Sequence, residues 1–215
     1  MVKLQFFLKR VFDLLICSIA LVALLPIFLI IAIAIKLTSK GPVFFLQERL
    51  GFNGKVFKII KFRTMIVNAE HIGDGLKVKS ERDSRITKIG RFLRATSLDE
   101  LPQLINVITG SMSICGPRPP VTYHPYNGYE NYPEWAKKRF QMRPGITGLA
   151  QALVRNSATW DERIVIDNRY IESFSLWLDI KILFWTVKRV FKSQDIYAND
   201  NLNLDKQVKK EIANK

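Results

Sequence analysis

The densest group of reactive side chains is Arg94-Ala-Thr-Ser-Leu-Asp99-Glu100-Leu-Pro102, where two adjacent carboxylates follow an arginine at the start of a helical pattern. One carboxylate of such a pair can attack an electrophilic phosphorus while its neighbour helps hold a divalent cation, and arginines can clamp phosphate oxygens bidentately. Arg94, Arg118 and Arg143 fall in turns or at helix ends consistent with a clamp. A helix N-terminus adds backbone N–H groups aimed at an anion. The same stretch has a purely structural reading, because Ser97-x-x-Glu100 matches a capping box in which Glu100 reaches back to the Ser97 amide. With Ser97 as the cap, Pro102 becomes the fifth helical residue, where its missing N–H is needed. With Asp99 as the cap it is the third and costs little. The residue types alone leave cap and catalytic pair both open.

Other chemistries lose support together. The 215 residues contain no P-loop, dinucleotide GxGxxG, serine nucleophile elbow or zinc-ligand cluster. Cys17 and Cys115 offer neither a disulfide framework nor a metal-ligand spacing and read as small buried apolar residues. His71 has no partner at metal-binding spacing and reads as a surface residue. The formal net charge is +14, and residues 37–120, with 14 basic and 7 acidic side chains, carry half of it. Such an excess can meet DNA phosphates, anionic lipid head groups or a phosphorylated small substrate. No groove-reading motif supports nucleic acid, and none is expected as a partner. The 48% apolar and 24% charged composition excludes disordered, collagen-like and coiled-coil classes.

The elements that must position these residues begin with an apolar segment. From Leu14 to Ile35, 22 consecutive residues carry no charge, which as a continuous helix reaches roughly 33 Å, the scale of a bilayer. Lys36, Leu37 and Thr38 follow without an A-x-A pattern, which disfavours a cleaved signal peptide. Pro26 falls near the middle of the run and predicts a kink or break there. Basic residues flank both ends, with Lys3, Lys9 and Arg10 before and Lys36 and Lys40 after, so the positive-inside bias pulls both toward the cytoplasm. A re-entrant helix satisfies both observations; a kinked spanning helix satisfies the first.

After Gly41-Pro42, two runs rich in Val, Phe and Ile separated by Gly51-Phe-Asn-Gly54 predict a β-hairpin. Residues 66–85, with Gly73 and Gly75, read as a polar loop. Apolar residues at three- and four-residue steps from Ile86 to Ile108 predict two helices interrupted at Ala95–Pro102. The proline-rich stretch from Cys115 to Tyr132 cannot be helical. Arg143–Gly148 reads as a turn, and helical periodicity resumes at Asp161. Tyr170–Phe191 has the mixture of aromatic, aliphatic and basic residues of an amphipathic helix at a membrane interface, which a core-facing helix shares. The expected fold is α+β and mostly helical: an anchor over residues 1–36, a catalytic domain over 37–199 and a polar tail over 200–215.

Lys9-Arg-Val-Phe-Asp13, Lys61-Phe-Arg-Thr-Met65, the run from Arg94 through Cys115-Gly-Pro-Arg-Pro119, and Arg143-Pro-Gly-Ile-Thr-Gly-Leu-Ala-Gln151 together resemble the bacterial sugar transferase family, the monotopic polyprenol-phosphate phosphoglycosyl transferases. The resemblance spans roughly residues 9–190 and turns the balance at Asp99-Glu100 toward catalysis. It implies transfer of sugar-1-phosphate from a UDP-sugar to undecaprenyl phosphate, releasing UMP, as the first membrane step of bacterial glycan assembly. It implies Asp99 as the nucleophile that forms a covalent phosphosugar intermediate and Glu100 as a ligand of Mg2+. Arg94, Arg118 and Pro119 match positions near the phosphate site, and Lys61, Arg63, Arg143 and Gln151 are further substrate-binding candidates. It also implies a helix-break-helix at Pro26 that re-enters the cytoplasmic face of the inner membrane beside anionic lipid. Here Leu25 stands where a Ser often precedes that Pro, which removes a hydroxyl able to satisfy a carbonyl at the bend. In length the chain resembles the family's minimal catalytic form. The rival from another class is a non-catalytic, membrane-anchored basic adaptor.

Overall fold

The computed structural model describes residues 2–72, 83–154 and 158–192. Gly73, Gly75 and the tail expected over 200–215 lie outside the described residues. The apolar segment forms one helix, α1 (Val2–Thr38), with Pro26 inside it. The interruption expected at Pro26 does not take the form of a gap in the helix. Proline withdraws a single backbone donor, and the long apolar stretches on either side carry the helix through.

Two separate stretches of α1 are buried. Lys9, Asp13 and Cys17 recur every four residues, as do Ile31 and Ile35, so each set forms a stripe on one helical face. Between them no residue from 18 to 30 is buried, and Ile19, Val22, Leu29 and Ile30 are each more than 60% exposed. The N-terminal stripe is tied down by polar contacts. Lys9 Nζ donates to Asp179 Oδ2 at 2.6 Å, and the Tyr170 hydroxyl donates to the other oxygen at 2.6 Å. Asp13 accepts from Ser113 Oγ at 2.6 Å and from the Ile114 amide at 3.2 Å. Arg10 Nη1 donates to the Val107 carbonyl at 2.8 Å. The C-terminal stripe packs with Phe62 and Leu93, and Phe28 meets Phe62 edge-on at 5.1 Å.

β1 (Phe44–Leu50) and β2 (Val56–Phe62) form the expected antiparallel hairpin, in register from Phe44 opposite Phe62 to Leu50 opposite Val56. Its turn uses the residues that predicted it, with Asn53 at φ 52° and Gly54 at φ 73°. α2 (Lys88–Thr96) opens on Thr87, whose side chain accepts from the Gly90 amide at 3.0 Å. A 3-10 turn (Leu98–Glu100) and α3 (Gln103–Ile108) follow, so the interrupted helix pair is where the periodicity put it.

Two elements differ from the sequence reading. Gly145–Thr147, expected as part of a turn, is a strand, β4, which pairs in parallel with β3 (Ser113–Cys115). Three residues are too few to show alternation. Their close approach instead requires glycine: a Cβ on Gly116 would strike the Arg143 carbonyl, and one on Gly145 would strike the Gly116 nitrogen. The second difference lies beyond the short helices α4 (Glu134–Lys137) and α5 (Leu149–Leu153). The chain forms α6 (Trp160–Glu172), opened by a Thr159–Glu162 capping box, and then breaks before α7 (Leu176–Lys192). The amphipathic helix expected from Tyr170 is thus divided, because Ser173 ends α6 and the Ser175 hydroxyl accepts from the Leu178 amide at 3.1 Å to start α7.

Tyr170, Leu178 and Ile182 form a core with Cys115, Met142 and Leu149, while Trp177, Ile180, Phe184 and Val187 leave the opposite face of α7 exposed and apolar. Cys17 and Cys115 are free and fully buried, in line with their reading as small apolar residues. His71 is exposed.

Candidate active site

The carboxylate pair sits at the joint between α2 and α3. α2 ends at Thr96, and Ser97 takes the left-handed conformation at φ 58°, which turns the chain into the 3-10 turn carrying Asp99 and Glu100. Ser97 precedes that turn but makes no side-chain cap bond to it, and the Glu100 carboxylate reaches elsewhere. The capping box read from the sequence is therefore not made. Pro102 stands at the cap position just before α3, where no helical N–H is required of it.

Glu100 is held by two cations. Lys61 Nζ, near the end of β2, donates to Glu100 Oε1 at 2.7 Å, and Arg118 Nη2 reaches the same oxygen at 3.4 Å. Hairpin register places Lys61 opposite Phe45 and Gln47 opposite Ile59, so these side chains share a face. Two other arginines position Arg118 through its own turn: Arg139 Nη2 donates to the Arg118 carbonyl at 2.6 Å, and Arg49 Nη1 to the Pro119 carbonyl at 2.9 Å. Arg139 is itself anchored by a fully buried pair with Asp167 at 2.8 Å.

These groups border a cleft of about 820 Å³ whose lining includes Lys61, Arg94, Asp99, Glu100, Arg118 and Gln151. Burial pushes the Asp99 carboxyl up to about 6, with Glu100 adding to the rise while Lys61 and Arg94 oppose it. Burial acts on Glu100 in the same sense, but there Lys61 and Arg118 outweigh it and hold the carboxyl well below its ordinary range. Adjacent carboxylates thus differ: Glu100 is an anion locked into ion pairs, and Asp99 is the more basic of the two.

A family model described as bacterial sugar transferase matches residues 4–193. The chain belongs to that family. It is 43% identical over 194 residues to a UDP-glucose:undecaprenyl-phosphate glucose-1-phosphate transferase of Klebsiella pneumoniae, an alignment covering 88% of this chain and 41% of the relative. An undecaprenyl-phosphate glucose phosphotransferase of Komagataeibacter xylinus is 43% identical over 197 residues, covering 88% and 37%. The chain thus spans about two-fifths of the length of these two curated relatives. The exopolysaccharide production protein ExoY of Sinorhizobium fredii, 39% identical over 202 residues, is matched over 88% of both chains.

The residues singled out from the sequence do not all gather in one role. Arg94 lines the cleft with its Nε buried and without a hydrogen-bond partner. Gln151 also lines it, with Nε2 donating to the Ile146 carbonyl at 3.3 Å. Arg63 borders the cleft, yet its terminal nitrogens donate to the carbonyls of Lys40 and Ser39 and to the Ser39 hydroxyl, which closes the end of α1. Pro119 lies outside the cleft lining and contributes a carbonyl to Arg49. Arg143 is exposed, donates to the Gly110 carbonyl at 3.0 Å and lies over the Phe52 ring. The sequence reading missed Arg49, Gln47 and Glu70, which line the cleft as a chain: Arg49 Nη2 donates to Gln47 Oε1 at 2.6 Å and Gln47 Nε2 to Glu70 at 2.8 Å. The available signal was the two-residue spacing of Gln47 and Arg49 on a strand, which puts both on the Lys61 face.

Proposed function

We propose that this sugar transferase moves sugar-1-phosphate from a UDP-sugar to undecaprenyl phosphate, on the cytoplasmic face of the bacterial inner membrane. The observation that carries the reading is the unequal carboxylate pair in a cationic cleft, with Asp99 beside a Glu100 already paired to Lys61 and Arg118. An Asp99 oxygen attacks the phosphorus that bears the sugar; the bond to the bridging oxygen breaks, and that oxygen leaves with UMP. The phosphate oxygen of the lipid then attacks the same phosphorus, displaces Asp99 and carries away the sugar as a lipid-linked diphosphosugar. Two substrates of opposite solubility need not share the site, which suits a covalent intermediate. Arg118, Arg94 and Lys61 provide positive charge for the phosphate oxygens. The glucose named for several relatives makes UDP-glucose the first donor to test.

Mg2+ fits the donor set as a cation held by one or two carboxylates together with substrate phosphates. Glu100 would supply such a carboxylate, while its Oε1 stays paired with Lys61 and Arg118. Among the described residues no group of three His, Cys, Asp or Glu forms a site independent of substrate. When bound, the ion would neutralise phosphate charge.

The membrane part of the reading is a re-entrant α1. Its support is that both ends pack on one domain while the apolar middle is bare. Cys17 and Ile31, 14 residues apart, would lie about 21 Å apart on a straight helix. Yet the Cys17 cluster contains Ile59 and the Ile31 cluster contains Phe62, only about 10 Å further along β2. A bend at Pro26 reconciles those lengths. The exposed apolar face of α7, with Lys181 over Trp177, would lie in the lipid interface.

The test is UMP release from UDP-glucose, and from a panel of other UDP-sugars, with Mg2+ and no lipid. The wild type should give a burst of about one UMP per chain and Asp99→Asn none. An undiminished burst in the variant would remove Asp99 as nucleophile, and salt-sensitive lipid binding with no UMP from any donor would favour a basic adaptor.

A further inference from the structure

We propose that Asn106 is a positioning residue that sets Lys61 against Glu100; the inference rests on the transfer reaction proposed above. Asn106 lies on α3, two turns beyond the carboxylate pair, and is 4% exposed. Its side-chain amide mimics a neighbouring strand. Oδ1 accepts from the Ile60 amide at 2.9 Å, and Nδ2 donates to the Lys58 carbonyl at 2.8 Å. Residues 58 and 60 are the pair whose backbone groups point away from β1 when residues 59 and 61 face it. One planar amide therefore takes a donor and an acceptor from the outer edge of β2, immediately before Lys61.

The amide is itself fixed from several sides. Nδ2 also donates to Ser111 Oγ at 3.3 Å, and the Asn106 carbonyl accepts from the Met112 amide at 3.0 Å and from Ser111 Oγ at 3.0 Å. Val107 beside it packs with Ile59 and Cys17. Lys61 reaches Glu100 from a strand, Glu100 comes from the joint leading into α3, and Asn106 bolts that strand to that helix. The distance between the two charges is then set by a rigid clamp on their supporting backbones. Serine or alanine at 106 lacks the paired donor and acceptor, and leucine would leave two buried backbone groups unsatisfied.

The test uses the full chain in detergent micelles or nanodiscs, with Asn106→Ala, Lys61→Met and the double variant. UMP release from UDP-glucose in the presence of undecaprenyl phosphate and Mg2+ gives kcat and KM. Asn106→Ala should lower kcat by about 10- to 100-fold with donor KM within about threefold, as expected for a reacting group displaced by a fraction of an ångström. The double variant should be no slower than Lys61→Met alone, because Asn106 acts through Lys61. Losses that multiply in the double variant, or a Lys61→Met enzyme as fast as wild type, would overturn the proposal. Should alanine not fold, Asn106→Asp keeps the acceptor for Ile60 and deletes the donor to Lys58, and its loss should be intermediate. Hydrogen exchange gives a readout independent of the reaction: amides in Val56–Phe62 should exchange faster in both variants, and unchanged exchange would also overturn the clamp. A wild type that releases no UMP from any UDP-sugar, yet shows the exchange difference, would refute the proposed reaction and leave the clamp standing.

Discussion

Lys61 and Arg63 are two residues apart on the same strand end, and the structure gives them opposite duties. Lys61 points into the cleft at Glu100, whereas Arg63 is 4% exposed and bonds the carbonyls at the end of α1. Lys61→Met should lower UMP release by about 100-fold or more, since it removes a fixed cation from the cleft and leaves Glu100 without its nearest partner, and Lys61→Arg should recover part of it. Arg63→Gln should leave donor KM within about twofold of wild type. It should instead cost on the order of 2 kcal/mol of stability, read as a melting temperature lowered by about 5 °C. Residue types alone left Asp99 and Glu100 open between a helix cap and a reactive pair, and the family resemblance that favoured the pair gave Lys61 and Arg63 the same assignment. Which basic side chain is tied to the end of α1 and which pairs with Glu100 depends on tertiary neighbours at positions 39, 40 and 100 that no local pattern reports. Ser97-x-x-Glu100 misled for a similar reason: a long-range ion pair to Lys61 claims the glutamate that local spacing assigns to a cap.

Elements with a long period were readable and short ones were not. The hairpin stands where two Val-, Phe- and Ile-rich runs around Gly51–Gly54 put it, and α2 and α3 where three- to four-residue spacing put them, since many side chains vote for each. β3 and β4 have three residues each and are specified by close backbone approach, and the break before α7 depends on two serines in a run whose apolar content scarcely changes. The buried support for the Arg118 turn, Arg139 with Asp167 on α6, was equally invisible, because its partners lie 28 residues apart. That pair carries a pH signature. Burial pushes the Asp167 carboxyl up to about 6 against the opposing charges of Arg139 and Arg163. The folded state therefore binds a proton between about pH 4 and 6 that the unfolded chain has released, so this contribution to stability is present below about 4 and lost as pH rises through 6. Melting temperatures of wild type and Asp167→Asn should diverge across that interval, with wild type losing more on going from pH 4 to 7. Parallel curves would place the Asp167 titration elsewhere.

At the scale of the whole molecule, the anchor and the domain are one packed object. α1 contributes to two cores and is fastened by Lys9, Arg10 and Asp13, of which the sequence reads the two basic residues as a membrane flank. A re-entrant α1 makes a topological prediction. Cysteines placed at the exposed positions Lys3 and Lys40, in a background whose native cysteines are buried, should both react with a membrane-impermeant maleimide in inside-out vesicles and neither in intact spheroplasts. Labelling of Lys3→Cys from the outside would establish a spanning helix. Net charge marked the neighbourhood of the site, since half the excess lies in residues 37–120, but the anionic partners within the cleft were a matter of three-dimensional arrangement.

The tie between Lys9 and Asp179 joins residues 170 positions apart. During synthesis at roughly 5–20 residues per second, the lysine is added to the chain between about 8 and 35 seconds before its aspartate. The apolar stretch of α1 is therefore complete while the partners that fasten it are still unmade, and Ser113 must arrive for Asp13 before α7 arrives for Lys9. The order of the chain becomes an order of assembly: α1 first, then the hairpin and carboxylate joint, and last the helix that locks α1 in place. Premature termination within α7 should thus leave a chain that carries the whole of α1 but fails to close its core, read as protease sensitivity of residues 83–154.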